Sequence, residues 1–529
     1  MQRKWKPKRI ALFAAIGILM VGLIGTVALT GGGAIVAAVT APFRQSPGQV
    51  EAQRTSVPSQ TAVQPAKTAA SQTALPRYDA NVQLSRQEAQ VGEPILLNGE
   101  EFHAGQKVQI LWQTVSGHYV IQGLDKFGGV AFEPQSQLLG ETTADAAGKV
   151  HFSFRVPKDY GGMHDLLVTS KEGGPQGKTG LMVQPKFTVT PASGPAGTRI
   201  AIHVDGLGYT DMERNWQVTY DNTFTGLISA VATKGSATAY IRAVGDVGEH
   251  TIGIWHNYNG IPYINYQQGP YAYLDCPQFT FRITAGTPII QNSVETPPPV
   301  APKSSYTLQV PPSAPGVSLH LDRAQATVSE KVTLTGSGFP ANTAVSFLWN
   351  TARGNRVTTT GYAMEKQHLL EVHTDARGQL QTTFQVPNDL GGPAHLIEAQ
   401  VNGKTLAATT LQILPKIVSV TPQKGSVGQE VDVHLQGVGW TEYDNIYAVT
   451  YDNAYIGYIC GFNSHGDVHL KLRLSGQAGP HYIDLYPGIY KGKQPKPDVY
   501  TKPMLTYRED HPGEGLPAIR LTVEVTPSP

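Results

Sequence analysis

The pentapeptide "VTYDN" occupies Val218–Asn222 and recurs letter for letter at Val449–Asn453, with a glycine four residues beyond each Asn, at Gly226 and Gly457. Read as chemistry, Asp and Asn kept in two copies suggest a duplicated active site. Read as backbone, Val and Tyr share one face of a strand that begins at Trp216 or Tyr447, and Asp-Asn closes a turn. Both side chains bond their own turn and tolerate left-handed backbone angles. A catalytic site would carry its acidic or nucleophilic companions along with it. Here the residues that follow differ, Thr223-Phe224-Thr225 against Ala454-Tyr455-Ile456. VTYDN therefore reads as the hairpin of a duplicated scaffold, and its message is that a whole module was copied.

The copy extends outward in both directions. "FRVPKDYGG" at Phe154–Gly162 answers "FQVPNDLGG" at Phe384–Gly392, and "PKFTVTPASGPAGTRIAIHVDGLGYT" from Pro185 answers "PKIVSVTPQKGSVGQEVDVHLQGVGWT" from Pro415. The offset is 237 residues at Trp112 and Trp349 but 230 at Val156 and Val386, so the first copy carries seven extra residues within Gln113–Ala144. The order is A1–B1–linker–A2–B2: A1 over 78–185, B1 over 186–286, a Pro-rich linker over 287–315, A2 over 316–414 and B2 over 415–529. The Pro-Pro-Pro run predicts an extended spacer between the halves.

Within each unit the apolar period is two. Ile200, Ile202 and Val204 alternate with Ala201 and His203, as do Val431, Val433 and Leu435 in the second copy; Val108, Ile110 and Trp112 match Val345, Phe347 and Trp349. Such alternation, punctuated by Gly, Pro and Asn, marks half-buried antiparallel strands. Units of about 100 residues built this way predict β-sandwiches. The expected fold class is all-β, a tandem array of four sandwiches. Composition agrees: 56 Gly and 38 Pro punctuate the chain, and only 15% of residues are charged. A net charge of +1 gives no electrostatic footprint for nucleic acid.

The N-terminus departs from this pattern. The basic flank "MQRKWKPKR" (1–9) precedes an unbroken apolar run from Ile10 to Leu29, long enough for a bilayer core. Residues 10–41 read as a transmembrane anchor or, since "AVTA" ending at Ala41 suits cleavage, as a signal segment. Residues 42–77, rich in Ser, Thr, Gln, Ala and Pro, read as a flexible stalk. The expected location is the cell membrane with the C-terminal bulk extracytoplasmic, or outside the cell if the segment is cleaved. Two cysteines at non-corresponding positions, Cys276 and Cys460, make no disulfide framework. No Asn-X-Ser/Thr acceptor occurs, which favours a prokaryotic envelope protein over a glycosylated eukaryotic one.

The B units resemble the immunoglobulin-like fold called IPT or TIG. Its Pro-x-x-Gly turn, strand and Gly-x-Gly-aromatic step stand here at Pro191, Gly194, Gly197, Gly206, Gly208 and Tyr209, and again at Pro422, Gly425, Gly428, Gly437, Gly439 and Trp440. The A units look like looser bacterial immunoglobulin-like relatives. The resemblance implies an extracytoplasmic array for binding, spacing or adhesion, and it implies no catalytic residue and no cofactor.

Three sets of residues invite a chemical reading. Each unit carries a histidine after a glycine-rich turn, His164, His250, His395 and His481. One His per unit falls short of the three or four converging ligands of a metal site, so these predict ring nitrogens satisfied by loop carbonyls. Acidic loop residues Asp211, Glu213, Glu442 and Asp444 lack a calcium-loop pattern. The aromatic-rich stretch of B1 holds Trp255, Tyr258, Tyr263, Tyr266, Tyr271 and Tyr273, and its counterpart in B2 holds Tyr486, Tyr490 and Tyr500. Tyrosines interleaved with Asn, Gln and Gly suit a recognition surface for a glycan or an envelope protein; the alternative is that they pack against their own loop and the adjoining unit. No nucleophile elbow, zinc-protease helix or phosphate loop is found. The expected function is non-enzymatic surface binding. Its competitors are a passive envelope spacer and an exported enzyme working from the A1-specific insertion.

Overall fold

Strand alternation and turn chemistry produce the expected class. The computed structural model describes residues 77–257, 260–296, 308–355, 361–490, 501–513 and 517–527. Among these the regular elements are β-strands and two single 3-10 turns, Tyr266–Gln268 and Phe462–Ser464. The apolar N-terminal run and the stalk lie outside the described residues, and no described helix is long and apolar enough to cross a membrane.

Among the described residues eight sheets form, two in each of the four repeated stretches. In A1 a five-stranded sheet runs Glu88–Ala89, Gly177–Val183, Gly162–Thr169, Lys107–Gln122, Lys126–Thr143, facing a three-stranded sheet of Asn81–Leu84, Pro94–Glu100 and Val150–Arg155. A2 repeats this order from Ser318–Leu321 to Lys404–Leu414. The B stretches share their own order: Asn215–Tyr220 lies between Gly248–His256 and Thr223–Ser229 in B1, as Ile446–Tyr451 lies between Gly479–Gly488 and Ala454–Cys460 in B2. Pairing is antiparallel except for a two- or three-residue edge strand that enters each larger sheet in parallel. The alternating residues face inward as expected: Ile200, Ile202 and Val204 in B1 and Val431, Val433 and Leu435 in B2 are wholly buried, as are Trp112 and Trp349.

VTYDN is a two-residue hairpin. Asp221 and Asn222 have φ of 47° and 64°, Asp452 and Asn453 have 49° and 63°. Two successive left-handed residues are the type I′ geometry whose twist matches antiparallel strands. A bulge follows in both copies, so that Val218 pairs with Gly226 and Val449 with Gly457.

The two repeated motifs meet at the A–B junction. Gly161 N–H donates to Leu207 O and Gly391 N–H to Val438 O, each at 3.0 Å, so the Gly-Gly step of A lies flat on the Gly-x-Gly step of B. The Asp of the same motif anchors the A core: Trp112 Nε1 donates to Asp159 at 2.8 Å and Trp349 Nε1 to Asp389 at 2.9 Å. A Cβ on Gly161 or Gly391 would overlap the carbonyl oxygen of Gly206 or Gly437. Glycine is required there by backbone approach.

The segment read as a spacer is not free along its length. Ser293–Val294 pairs antiparallel with Ile519–Val525 of B2, Thr522 N–H donates to Asn292 Oδ1 at 2.7 Å, and Ile289 N–H reaches back to Ala196 of B1 at 2.8 Å. Residues 297–307 lie outside the described residues. B1 and B2 thus come together rather than apart. One core cluster holds Ile228, Ala239 and Ile241 of B1 with Tyr482, Tyr486, Leu505 and Tyr507 of B2. At its centre Arg242 Nη2 lies 2.6 Å from Asp484 Oδ1, Arg520 Nη1 is 3.3 Å from the same oxygen, and Arg520 Nε is 2.9 Å from Glu295 Oε1. The A1 insertion lengthens a hairpin that reaches the same place: Tyr119, Ile121 and Phe127 pack with Val231 of B1 and Tyr443, Ile489 and Met504 of B2.

Candidate functional site

The four histidines divide by unit type. In the A units the ring stacks on the core tryptophan at 4.3 Å, His164 on Trp112 and His395 on Trp349. Both nitrogens face carbonyl oxygens, Gln113 and Tyr160 for His164, Asn350 and Leu390 for His395. In the B units one nitrogen faces a carbonyl and the other the Asp of VTYDN: His250 Nδ1 is 2.6 Å from Asp221 and His481 Nδ1 is 2.5 Å from Asp452. The hydrogen bond that His481 makes to the Asp452 carboxylate raises the pKa of its ring. Burial opposes charge on His250, but Asp221 and the Asp246 carbonyl outweigh it and raise that pKa too. With one ring nitrogen facing the carboxylate and the other a carbonyl oxygen, neither is open to a substrate, so these His–Asp pairs brace the turn.

The two braced turns share a surroundings. They line one cavity of about 490 Å³ between B1 and B2, formed by the equivalent loops 244–247 and 477–480 with Asp221 and Asp452. The other acidic candidates are held by protein donors. Glu213 accepts from Tyr273 and Thr210, both at 2.8 Å; Asp444 accepts from Trp440 and Thr441 N–H; Glu442 accepts from Phe127 N–H at 2.7 Å.

The aromatic stretch of B1 forms the loop 257–277 between strands Gly248–His256 and Gln278–Ile283. Its base is packed. Trp255 donates to Thr219 Oγ1 at 2.9 Å and meets Tyr266 edge-on, Tyr271 rests on the B1 core, and Leu274 and Cys276 are buried. Its rim is not: Ile261, Tyr263, Ile264 and Tyr273 are 51%, 42%, 76% and 44% exposed. The rim has fixed points, since Asn257 Nδ2 donates to Ile261 O at 3.0 Å and Tyr273 is tied to Glu213. Burial and that carboxylate both push the Tyr273 hydroxyl pKa up. Tyr258 lies outside the described residues.

The B2 counterpart takes another course, and here the sequence reading is corrected. Tyr486 is wholly buried in the B1–B2 core, donating to Tyr240 O at 3.1 Å, and presents no surface. The reason is the path after Ile489: residues 501–513 cross onto B1, where Leu227 N–H donates to Pro503 O at 2.7 Å and Leu505 N–H returns to Leu227 O at 2.8 Å. Tyr490 is half-buried beside Tyr458, and Tyr500 lies outside the described residues. Where B1 leaves its loop rim at the surface, the described residues 501–513 of B2 pack on B1.

Two groups escaped sequence reasoning. Arg242, Asp484, Arg520 and Glu295 form a buried ion cluster whose members are scattered over 279 residues. His434, Asp467 and His469 cluster on the smaller sheet of B2. No local spacing marks either, although the mismatch between copies at the second could have been noticed.

No family model matches the chain, and no curated protein does. Solved structures with similar strand arrangement include a Salmonella alpha-2-macroglobulin, at 8% identity over 85% of this chain and 31% of that one, with a TM-score of 0.19. The ICAM-5 D1–D4 ectodomain fragment matches at 11% identity over 84% of this chain and 99% of that one, TM-score 0.17. The Escherichia coli adhesin FdeC matches at 13% over 64% and 97%, TM-score 0.15. The chain spans about a third of the length of the macroglobulin it matches.

Proposed function

We propose that the chain is a non-enzymatic, extracytoplasmic binding protein that presents the B1 loop 257–277 to a glycan of the cell envelope. One observation carries the reading: Ile261, Tyr263, Ile264 and Tyr273 stay exposed on a loop whose base is packed, while in the second copy Tyr486 and residues 504–507 are buried against B1. Aromatic faces flanked by amides suit sugar rings, which offer apolar faces edged with hydroxyls, and Asn265, Gln267 and Gln268 stand exposed beside the rim. Two further features support a binding role over catalysis. Both His–Asp pairs are internally satisfied, and the A1 insertion is committed to an interdomain core. In this reading the apolar N-terminal run holds or exports the array.

The test is binding of envelope polysaccharides to the full chain by calorimetry, repeated with Tyr263→Ala/Tyr273→Ala. Loss of two stacking contacts of about 0.5–1.5 kcal/mol each predicts binding weaker by about 5- to 160-fold, with an unchanged melting midpoint for Tyr263→Ala alone. Absence of polysaccharide binding, or binding indifferent to both tyrosines, refutes the proposal; the first outcome establishes a spacer or a protein-binding array instead.

A further inference from the structure

The smaller sheet of B2 turns alternate residues outward, and the outward set is unusual. Val431, Val433 and Leu435 are buried, leaving Asp432, His434 and Gln436 outside; next to them Val468 and Leu470 are buried, leaving His469 outside. Register places His434 directly opposite His469, and their rings stack with centroids 4.3 Å apart and planes 9° from parallel. Asp467, one residue before the strand, brings Oδ1 to 2.6 Å from His434 Nε2. Its other oxygen accepts from Asn388 Nδ2 at 3.0 Å and Gln436 Nε2 at 3.1 Å, so the carboxylate is oriented by both A2 and B2. Asp432 holds His469 Nδ1 at 2.9 Å. One ligand atom from each of His434, Asp467 and His469 lies within 4.8 Å of the other two.

The first copy is an internal control. It keeps the central histidine as His203, which bonds Thr238 Oγ1 at 3.1 Å and Asp205 Oδ2 at 3.3 Å. Around it stand Ala201, Ser236 and Thr238, where the second copy has Asp432, Asp467 and His469. Three of these outward differences give the second copy a metal-ligating side chain, while a fourth puts Gln436 where the first copy has Asp205.

We propose that His434, Asp467 and His469 bind a divalent transition-metal ion of the zinc class. Two imidazoles and a carboxylate are the donor set such ions take, with a fourth position left to water. Metal–ligand distances of about 2.0–2.2 Å set tetrahedral neighbours about 3.3 Å apart. The close His434–Asp467 pair must part slightly and His469 must swing in, which side-chain rotation allows. Asp432 behind His469 Nδ1 directs Nε2 to the ion, and Asn388 and Gln436 keep Asp467 in place, the outer hydrogen bonds that tune such sites. Because Asn388 belongs to A2, the ion also ties the A2–B2 junction.

The experiment is titration of ZnCl₂ into the untagged, chelator-stripped full chain, followed by calorimetry and thermal shift, with visible absorption of Co²⁺ as a geometric readout. One ion per chain, a raised melting midpoint and a tetrahedral Co²⁺ spectrum are expected. His469→Ala and Asp467→Asn each weaken binding at least tenfold, while His203→Ala on the first copy leaves it unchanged. All three positions are solvent-facing, and circular dichroism of each variant confirms folding. No saturable binding, or equal binding by wild type, His469→Ala and Asp467→Asn, overturns the proposal.

Discussion

Replacing Asp484 by Asn would test what holds B1 on B2. Arg242 and Asp484 have side chains only 4% and 1% exposed, and Arg520 is 4% exposed, so none of these charges is solvated by bulk water. With Glu295, and apart from the partly exposed Arg508 at 3.3 Å from it, the cluster holds two positive and two negative groups. Asp484→Asn keeps the shape and removes one negative charge, leaving a guanidinium buried without its counter-ion. Breaking a buried pair from one side costs about 3–5 kcal/mol. The cluster sits where strand Ala237–Arg242 meets Gly479–Gly488 and Ile519–Val525, so the loss should appear there and not in A2. Hydrogen exchange on the full chain reads this directly: amides of 237–242 and 519–525 should lose at least a hundredfold in protection, with strands of A2 unchanged. Because Arg242 Nη2 also donates to Leu521 O at 2.7 Å, Arg242→Met alone is harmful as well. The double variant Arg242→Met/Asp484→Asn removes one charge of each sign and should be less destabilised than the sum of the two. Unchanged protection in Asp484→Asn, or strictly additive losses, would refute the claim that the pair organises the interface.

The same cluster predicts an acid limit. Glu295 is opposed by its own burial, but Arg520 and Tyr507 hold its pKa below the ordinary glutamate value. A depressed pKa stabilises above the unfolded value of about 4.3 and fades as pH falls through the folded value; Glu295→Gln should flatten the acid arm of the melting curve. His250 and His481 have the opposite sign: their raised pKa values stabilise fully below about pH 6.5 and the benefit fades as pH climbs through the raised values. Asp452→Asn should therefore lower the melting midpoint at pH 6 and narrow its gap from wild type at pH well above neutral. Gly161→Ala drives a methyl into the Gly206 carbonyl, and overpacking against backbone costs up to about 3 kcal/mol; limited proteolysis between A1 and B1 should accelerate. Tyr119→Phe strips one donor from Asp510, a buried carboxylate that also accepts from Val231 and Ala232 N–H, at about 1–3 kcal/mol; protection of the hairpin tip should fall while B2 strands hold.

How much of this the chain discloses depends on the range of the interaction. Strands were readable because alternation is local: Val108-Ile110-Trp112 or Val431-Val433-Leu435 must face one way once one of them does. The VTYDN turn was readable because Asp and Asn tolerate φ near 50–60°, and the copies agreed. One His per unit pointed to carbonyl partners, which satisfy both nitrogens of His164 and His395 but only one of His250 and His481, whose other nitrogen meets the Asp of the turn. Contacts between units were not readable. Nothing adjacent to Arg242 announces Asp484, and Tyr486 looks like a surface tyrosine until the 501–513 crossing covers it. The Pro-rich linker misled because composition averages over a stretch. Its Ile289, Ile290 and Val294 are apolar residues within a spacer-like context, and two of them end up at the B1–B2 seam.

The duplication raises the question of why two copies should be needed, and the breaks in symmetry bear on it. Identical modules strung on a spacer would present identical surfaces, and binding would gain by avidity. Here each copy has lost something the other keeps. A1 spends its insertion on the shared core, B2 sets residues 501–513 on B1, and B1 leaves Tyr263 and Tyr273 exposed at its loop rim. On the proposed function this leaves one recognition surface per chain, with the second copy serving to hold the first. Calorimetry with a short oligosaccharide, one that cannot bridge sites, distinguishes the two cases: a stoichiometry of one per chain is expected. A value of two would mean that B2 binds as well, through residues other than Tyr486, and that the asymmetry in burial is not an asymmetry in function.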